Sequence, residues 1–233
     1  MLEVNGVNSF YGKAQVLNDL NFTVDRGTVV ALLGRNGAGK TTTMKSIMQL
    51  VRPRQGKIIY QGQDITGWPS HKVARNGLGY VPEERRIFTQ LTVMENLEVG
   101  RQPPRDGCTT WTEDMVFDLF PNLAERRHNR GKALSGGEQQ MLTIARTLMG
   151  NPAFILLDEP SEGIAPVIVE QMARVILQLK AEGLTVLLSE QNLHFAQAVA
   201  DGVVIIEHGT QKFVGTFAAL QSQPEIRDQY LSV

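Results

Sequence analysis

The chain has one cysteine, two tryptophans and no marked excess of either charge in its 233 residues. A lone Cys108 excludes an internal disulfide. It lies in the polar run 103–108, with no cysteine or histidine at metal-ligand spacing, so no zinc staple is expected and the cysteine usage points to a reducing compartment. Lys and Arg number 23 against 24 Asp and Glu, which excludes a global basic field able to hold nucleic acid or an anionic membrane. No apolar run approaches the ~20 residues of a membrane span. The most apolar stretches, 29–33 and 154–157, are strand-length, and residues 1–6 lack a basic region followed by an apolar run. The expectation is a chain that neither crosses a bilayer nor is exported. Repeats and low-complexity tracts are absent too. The length suffices to bury roughly 70–75% of the unfolded surface around one substantial core.

Residues 2–4, 20–24 and 28–33 read as strands, with Gly12 and residues 25–27 as turns. A glycine loop follows, then a helix over 41–50 on which Met44, Ile47, Met48 and Val51 recur at helical spacing until Pro53. From about 92 to 150 the pattern is mostly helical, broken by a loop at 103–110 and a charged run at 125–130, and suggests a helical lobe inserted in the core. Strand, helix and strand then alternate: 154–157, a helix with Ile168, Met172, Val175, Ile176 and Leu179 on one stripe, and 184–188. Such alternation predicts a parallel sheet covered on both faces. A strand pair at 203–206 and 211–214 and a short helical tail with Ile226, Tyr230 and Leu231, expected to pack on its own domain, complete the chain.

Gly34-Arg35-Asn36-Gly37-Ala38-Gly39-Lys40-Thr41 matches G-x-x-x-x-G-K-[ST] and sits between a buried strand and a helix, where its chemistry requires it. Glycines let successive N–H groups turn inward on a phosphate, and the helix start adds the positive end of its dipole. Lys40 would reach the outer phosphates while the Thr41 hydroxyl ligates Mg²⁺. In Phe154-Ile155-Leu156-Leu157-Asp158-Glu159 a buried strand delivers two acids at its carboxyl end, where open α/β sheets bind ligands. Asp158 would hold Mg²⁺, and Glu159 would polarise an attacking water as general base. Between these halves, Leu134-Ser135-Gly136-Gly137-Glu138-Gln139 reads as a capping box, with Ser135 as N-cap and Glu138 three residues on. A capping box does not need two glycines, each costing about 1 kcal/mol relative to alanine. Close approach of a ligand is the better reason, and since one nucleotide already has its loop, this terminus is expected to serve the nucleotide of another subunit.

In this order and spacing the three segments resemble the Walker A, signature and Walker B motifs of ABC transporter ATPases, and the resemblance covers essentially the whole chain. It implies an α/β fold with a P-loop NTPase (RecA-like) core, an N-terminal antiparallel β subdomain and a helical subdomain at about 92–150, all within a single nucleotide-binding domain spanning 1–233. It implies ATP and Mg²⁺ as ligands. Gly34, Asn36, Gly37, Ala38, Gly39, Lys40, Thr41 and Thr42 would then hold the nucleotide. Ser135, Gly136, Gly137 and Glu138 of one cassette would meet the γ-phosphate held by another in a head-to-tail dimer. Tyr11, before Gly12, matches the aromatic that stacks on adenine, although a tyrosine at a strand end also serves simple packing.

Three positions depart from the general family pattern. Glu83, in Val81-Pro82-Glu83, stands where a glutamine senses Mg²⁺ and water; a carboxylate can also ligate the ion. Gln191, in Ser189-Glu190-Gln191-Asn192, replaces a histidine and, as a candidate catalytic residue with Lys40 and Glu159, can hydrogen-bond a γ-phosphate through its amide but not carry a proton. Ala165 replaces an aspartate. Together with Ser161-Glu162-Gly163-Ile164-Ala165-Pro166 these departures resemble the ATPase subunits of bacterial importers for branched-chain amino acids, the shorter of that system's two ATPases above all. The resemblance implies as partners a second, identical or homologous, ATPase, integral membrane permease subunits received near residues 83–88, and indirectly a solute-binding protein, with no nucleic acid. It implies a peripheral place on the cytoplasmic face of the bacterial inner membrane. Relatives serving urea or short amides share much of this pattern. A P-loop kinase would need a lid with catalytic arginines, a non-transport ABC ATPase usually carries two cassettes or a long insertion, and a module that binds ATP without hydrolysing it would not need Glu159 and Lys40.

Overall fold

The computed structural model describes residues 1–231. The chain opens with an antiparallel hairpin, β1 (Leu2–Tyr11) and β2 (Ala14–Val24), then β3 (Val29–Leu33) and α1 (Lys40–Ile47). Next come β4 (Gln55–Tyr60), β5 (Gln63–Asp64), α2 (Ser70–Arg75) and β6 (Leu78–Val81). The helical segment holds α3 (Val93–Gly100), α4 (Glu113–Leu119), α5 (Pro121–Glu125), a single 3₁₀ turn at Gly131–Ala133 and α6 (Gly136–Leu148). Then follow β7 (Phe154–Asp158), α7 (Pro166–Ala181), β8 (Thr185–Glu190), α8 (Leu193–Val199), β9 (Gly202–Glu207), β10 (Thr210–Gly215), α9 (Phe217–Gln221) and α10 (Pro224–Leu231).

Two sheets form. The first is antiparallel, in the order β2-β1-β4-β5; the second runs β10-β9-β3-β8-β7-β6 and is parallel except for β10. Every residue of β3, β7 and β8 is buried, as expected of parallel strands covered on both faces. Because successive side chains alternate between faces, Val29, Ala31 and Leu33 join Ile155, Leu157, Val186 and Leu188 under α6, α7 and α8, whereas Val30, Leu32, Phe154, Leu156 and Leu187 meet α1 and the antiparallel sheet. Val93, Leu97, Phe120, Met141 and Ile144 of the helical segment belong to the first of these clusters. The segment is thus inserted in chain order but shares one core with the sheet.

Some local expectations shift. α1 ends at Ile47 instead of reaching Leu50, because Gln49 takes φ 59 and its side chain bonds the Ser46 carbonyl and the Gly67 amide. β4, β5, α2 and β6 carried no expectation. β4 begins with the polar, exposed Gln55, Gly56 and Lys57, and α2 buries Val73 alone. Ile226 and Tyr230 pack against the core as expected of the tail, while the side chain of Leu231 lies outside the described residues. Among the described residues no helix is long and apolar enough to cross a membrane.

Candidate phosphate-binding and hydrolytic site

Strand register brings the chemistry together. β3 aligns Leu33 with Glu190, and β7 aligns Asp158 with Ser189, so the carboxyl ends of three adjacent strands deliver the glycine loop, Asp158, Ser189 and Glu190 to one edge. In the loop, a Cβ on Gly34 would lie 2.4 Å from the Ile206 carbonyl oxygen of β9, and Gly39 takes φ 110 with the Leu17 side chain 2.9 Å from where a Cβ would stand. Both positions need glycine for reasons internal to the fold. Gly39 caps α1 with no side-chain hydrogen bond, and the first turn holds no acid. The first amides of α1, which have no partner within the helix, are thereby left for an anion.

A cavity of roughly 570 Å³ lies over this terminus, lined by Val16, Asn36, Gly37, Gly39, Lys40, Thr41, Thr42, Glu83, Glu159 and Glu162. Lys40 is buried. Its Nζ donates to the Gly34 carbonyl at 2.7 Å and the Arg35 carbonyl at 3.2 Å, and it pairs with Glu159 Oε1 at 3.0 Å. The other oxygen of Glu159 accepts from Gln191 Nε2 at 2.7 Å. Burial opposes the charge on Glu159, but hydrogen bonds from Glu162, Lys40 and Gln191 outweigh it and hold the carboxyl below its ordinary range. Glu159 also adopts φ 46, a left-handed conformation uncommon for a side chain of this kind, which turns the chain away from β7 directly after Asp158.

Asp158 is fully buried and accepts from Ser189 Oγ at 2.6 Å, Tyr80 Oη at 3.0 Å and Thr41 Oγ1 at 3.2 Å. Burial pushes its carboxyl up against these three donors. Ser189 Oγ also receives the Glu159 amide at 3.0 Å. Burial and the neighbouring carboxylates raise Glu83, and a hydrogen bond to Glu159 together with burial pushes Glu162 up to about 7. Buried Glu190 accepts the amides of Ser161, Gln191 and Asn192, tying the loop after β7 to the loop after β8; burial nonetheless raises it. Tyr80, Glu162, Ser189 and Glu190 were missed as site residues, although Ser189 and Glu190 sit at the end of an apolar strand as Asp158 does.

The donors fit Mg²⁺. Thr41 and Asp158 offer adjacent hard oxygens, with Glu83 on the same cavity wall. No group of three or more acids, histidines or cysteines among the described residues is arranged to cage a metal unaided. This is the pattern of an ion held by one or two protein oxygens and completed by phosphate oxygens.

The signature segment lies outside this cavity. Ser135 caps α6, its Oγ accepting the Glu138 amide at 3.4 Å while Glu138 Oε2 accepts the Ser135 amide at 2.7 Å, as the capping-box reading expects. The two glycines have a reason inside the chain: a Cβ on Gly136 would stand 2.7 Å from Arg85 Nη1, and one on Gly137 would stand 2.9 Å from the Ile168 side chain. Close approach of a ligand was the expected reason for both glycines; packing within the chain is a second reason, which the arrangement supplies beside it. Tyr11 is 49% exposed at the tip of the first hairpin, whose Val16 lines the cavity. Ala165 caps α7 without a side-chain bond, ahead of Pro166.

A family model described as ABC transporter matches residues 17–162. The high-affinity branched-chain amino acid transport ATP-binding protein BraG of Pseudomonas aeruginosa is 43% identical over 231 residues, covering 99% of each chain. The lipopolysaccharide export system ATP-binding protein LptB of Haemophilus influenzae is 37% identical over 233 residues, 99% of this chain and 97% of its own. A solved structure of an ATP-binding subunit of an ABC transporter superposes with TM-score 0.81 at 31% identity, covering 99% of this chain and 96% of that one.

Proposed function

The chain belongs to the ABC transporter family as an ATP-hydrolysing subunit, and from that premise we propose that it powers an importer for branched-chain or other hydrophobic amino acids. The solute class rests on the likeness to BraG, which exceeds that to the export-system relative, and on the Val-Pro-Glu, Ser-Glu-Gly-Ile-Ala-Pro and Glu-Gln-Asn segments. Tyr11 would stack on adenine while Gly34, Asn36, Gly37, Ala38, Gly39, Lys40, Thr41 and Thr42 hold the phosphates. Thr41 and Asp158, with Glu83 beside them, would hold Mg²⁺, which when bound neutralises phosphate charge. Ser135, Gly136, Gly137 and Glu138 would meet the phosphate of a second cassette in a head-to-tail pair.

One observation carries the hydrolytic assignment: both oxygens of Glu159 are engaged, one by Lys40 and one by Gln191. A terminal phosphate recruits the Lys40 ammonium and frees Oε1 to accept a proton from water. Gln191 keeps the carboxylate aimed throughout, so it is a positioning residue and not the proton carrier. The low carboxyl of Glu159 is compatible with a base that is ionised on arrival of substrate.

A second cavity, of roughly 500 Å³, lies between β6, α3 and α6, where Phe88 is 48% and Val99 52% exposed. Such a groove beside the Glu83 loop, with exposed Phe88 and Val99 among Arg75, Arg105 and Arg146, suits a short cytoplasmic helix of a permease. The test is Glu159→Gln. Turnover should fall by about 10²–10⁴-fold, the range of general-base catalysis, with ATP binding retained and a dimer trapped by ATP. Unchanged phosphate release removes Glu159 from the mechanism. Co-purification of the wild-type chain from native membranes identifies the permease and separates the amino-acid importer from an export system.

A further inference from the structure

The loop between β6 and α3 reaches two places at once. Glu83 lines the phosphate cavity, and two residues later the Arg85 side chain lies against the start of α6. Its Nη1 stands 2.7 Å, and its Cζ 3.3 Å, from where a Cβ of Gly136 would be, and its Nη2 stands 3.9 Å from the corresponding point at Gly163. Arg85 and Arg86 both take positive φ, 64 and 51. Thr143 Oγ1 donates to the Arg85 carbonyl at 2.7 Å and Arg146 Nη2 to the Arg86 carbonyl at 2.7 Å, so α6 itself clamps the loop in this shape.

The electrostatics of this placement run against stability. A guanidinium at a helix N-terminus faces the positive end of the dipole. Among the described residues Arg85 has no carboxylate partner, while the nearby Glu138 is taken by the Ser135 amide and by Arg126 at 2.6 Å. A guanidinium without a carboxylate partner, helix amides and a serine hydroxyl on one surface are complementary to an anion. The phosphate cavity has the opposite imbalance: its lining holds three carboxylates, Glu83, Glu159 and Glu162, against the one ammonium of Lys40, with Asp158 behind them. A polyphosphate entering it would meet, besides Mg²⁺, a single ammonium from the cavity lining.

We propose that Arg85 is a phosphate-contacting residue of the composite site, carried beside Ser135 to the terminal phosphate held by the second cassette, where it adds positive charge. The proposal rests on the head-to-tail pairing above and adds to it a residue that neither the signature segment nor the phosphate loop contains. An arginine delivered in trans stabilises the charge that develops on a transferring phosphoryl group.

The experiment follows ATP-driven dimerisation of the purified chain in a Glu159→Gln background by size, alongside binding of a fluorescent ATP analogue at protein concentrations where the chain is monomeric. Arg85→Ala should raise the ATP concentration for half-maximal dimerisation by about tenfold, as loss of a hydrogen bond to a charged group does, with monomer binding unchanged. Arg85→Lys should recover part of the loss, because the charge remains while the planar fork does not. With Glu159 intact and ATP sub-saturating for Arg85→Ala, an equimolar mixture of Arg85→Ala and Lys40→Ala chains should hydrolyse ATP faster than the mean of the two alone, since one of its two composite sites is intact. Equal dimerisation with and without Arg85 overturns the proposal, as does a loss of monomer binding or melting temperature that accounts for the whole effect, which marks a structural brace. If Glu159→Gln with Arg85 intact stays monomeric at every ATP concentration, the head-to-tail reading fails first and takes the proposal with it.

Discussion

The chain carries two glycine-flanked helix starts, and they are built oppositely. α1 opens at Gly39 with a left-handed cap, no side-chain bond and no acid in its first turn. α6 opens at Ser135 with a complete capping box, both halves of which are formed. The first leaves its amides unmet and surrounds them with acids and one lysine. The second meets its own amides in part and sets an unpaired arginine beside them. A terminus proposed to bind its ligand within one chain can leave amides open to a cavity. In the proposed pairing the Ser135 terminus is completed by another chain and has to remain stable while it waits, which the capping box provides.

Substituting the glycines sharpens the contrast. Gly34→Ala drives a methyl into the Ile206 carbonyl of β9, which a central strand cannot withdraw, so we expect destabilisation of about 1–3 kcal/mol, the usual cost of overpacking. Gly136→Ala meets only the far end of the Arg85 side chain, and its melting temperature should stay close to wild type. Equal losses in thermal denaturation would break the distinction. Gln191→Ala tests the α1 side of the comparison: removing the bond to the ionised Glu159 should lower kcat by about tenfold with little change in KM, and a change confined to KM would reassign Gln191 to nucleotide binding.

The smallest effect is pH dependence. Glu162 is held up to about 7 in the folded chain against an ordinary 4.5, so the fold binds the proton more tightly than the unfolded chain does. Its contribution is present below 4.5 and is lost as pH rises toward 7. Glu162→Gln should flatten the decline of melting temperature with pH across that window; an unchanged slope assigns the decline to the raised carboxyls of Glu83, Asp158 and Glu190 instead.

The phosphate loop, the acids after β7 and the capping box were legible because each is a contiguous segment whose chemistry is local. β4, α2 and β6 were not, since their buried residues are few and their partners lie far along the chain. Tyr80 and Ser189 were missed for the same reason: 78 and 31 positions separate them from the Asp158 oxygens they hold. Gly136 and Gly137 show the limit from the other side, for the pattern marked both residues as special, yet Arg85 and Ile168, which press on them, could be named only from the structure.

By itself the sequence determined the strand, glycine loop and helix of residues 29–47, the strand that ends in Asp158 and Glu159, and the capping box at Ser135, because periodicity, glycine placement and caps act over a few residues. Only the tertiary structure decided which groups restrain Glu159, what holds Asp158 and where the Arg85 guanidinium rests. Those depend on the register of parallel strands and on helix packing, which no local segment encodes.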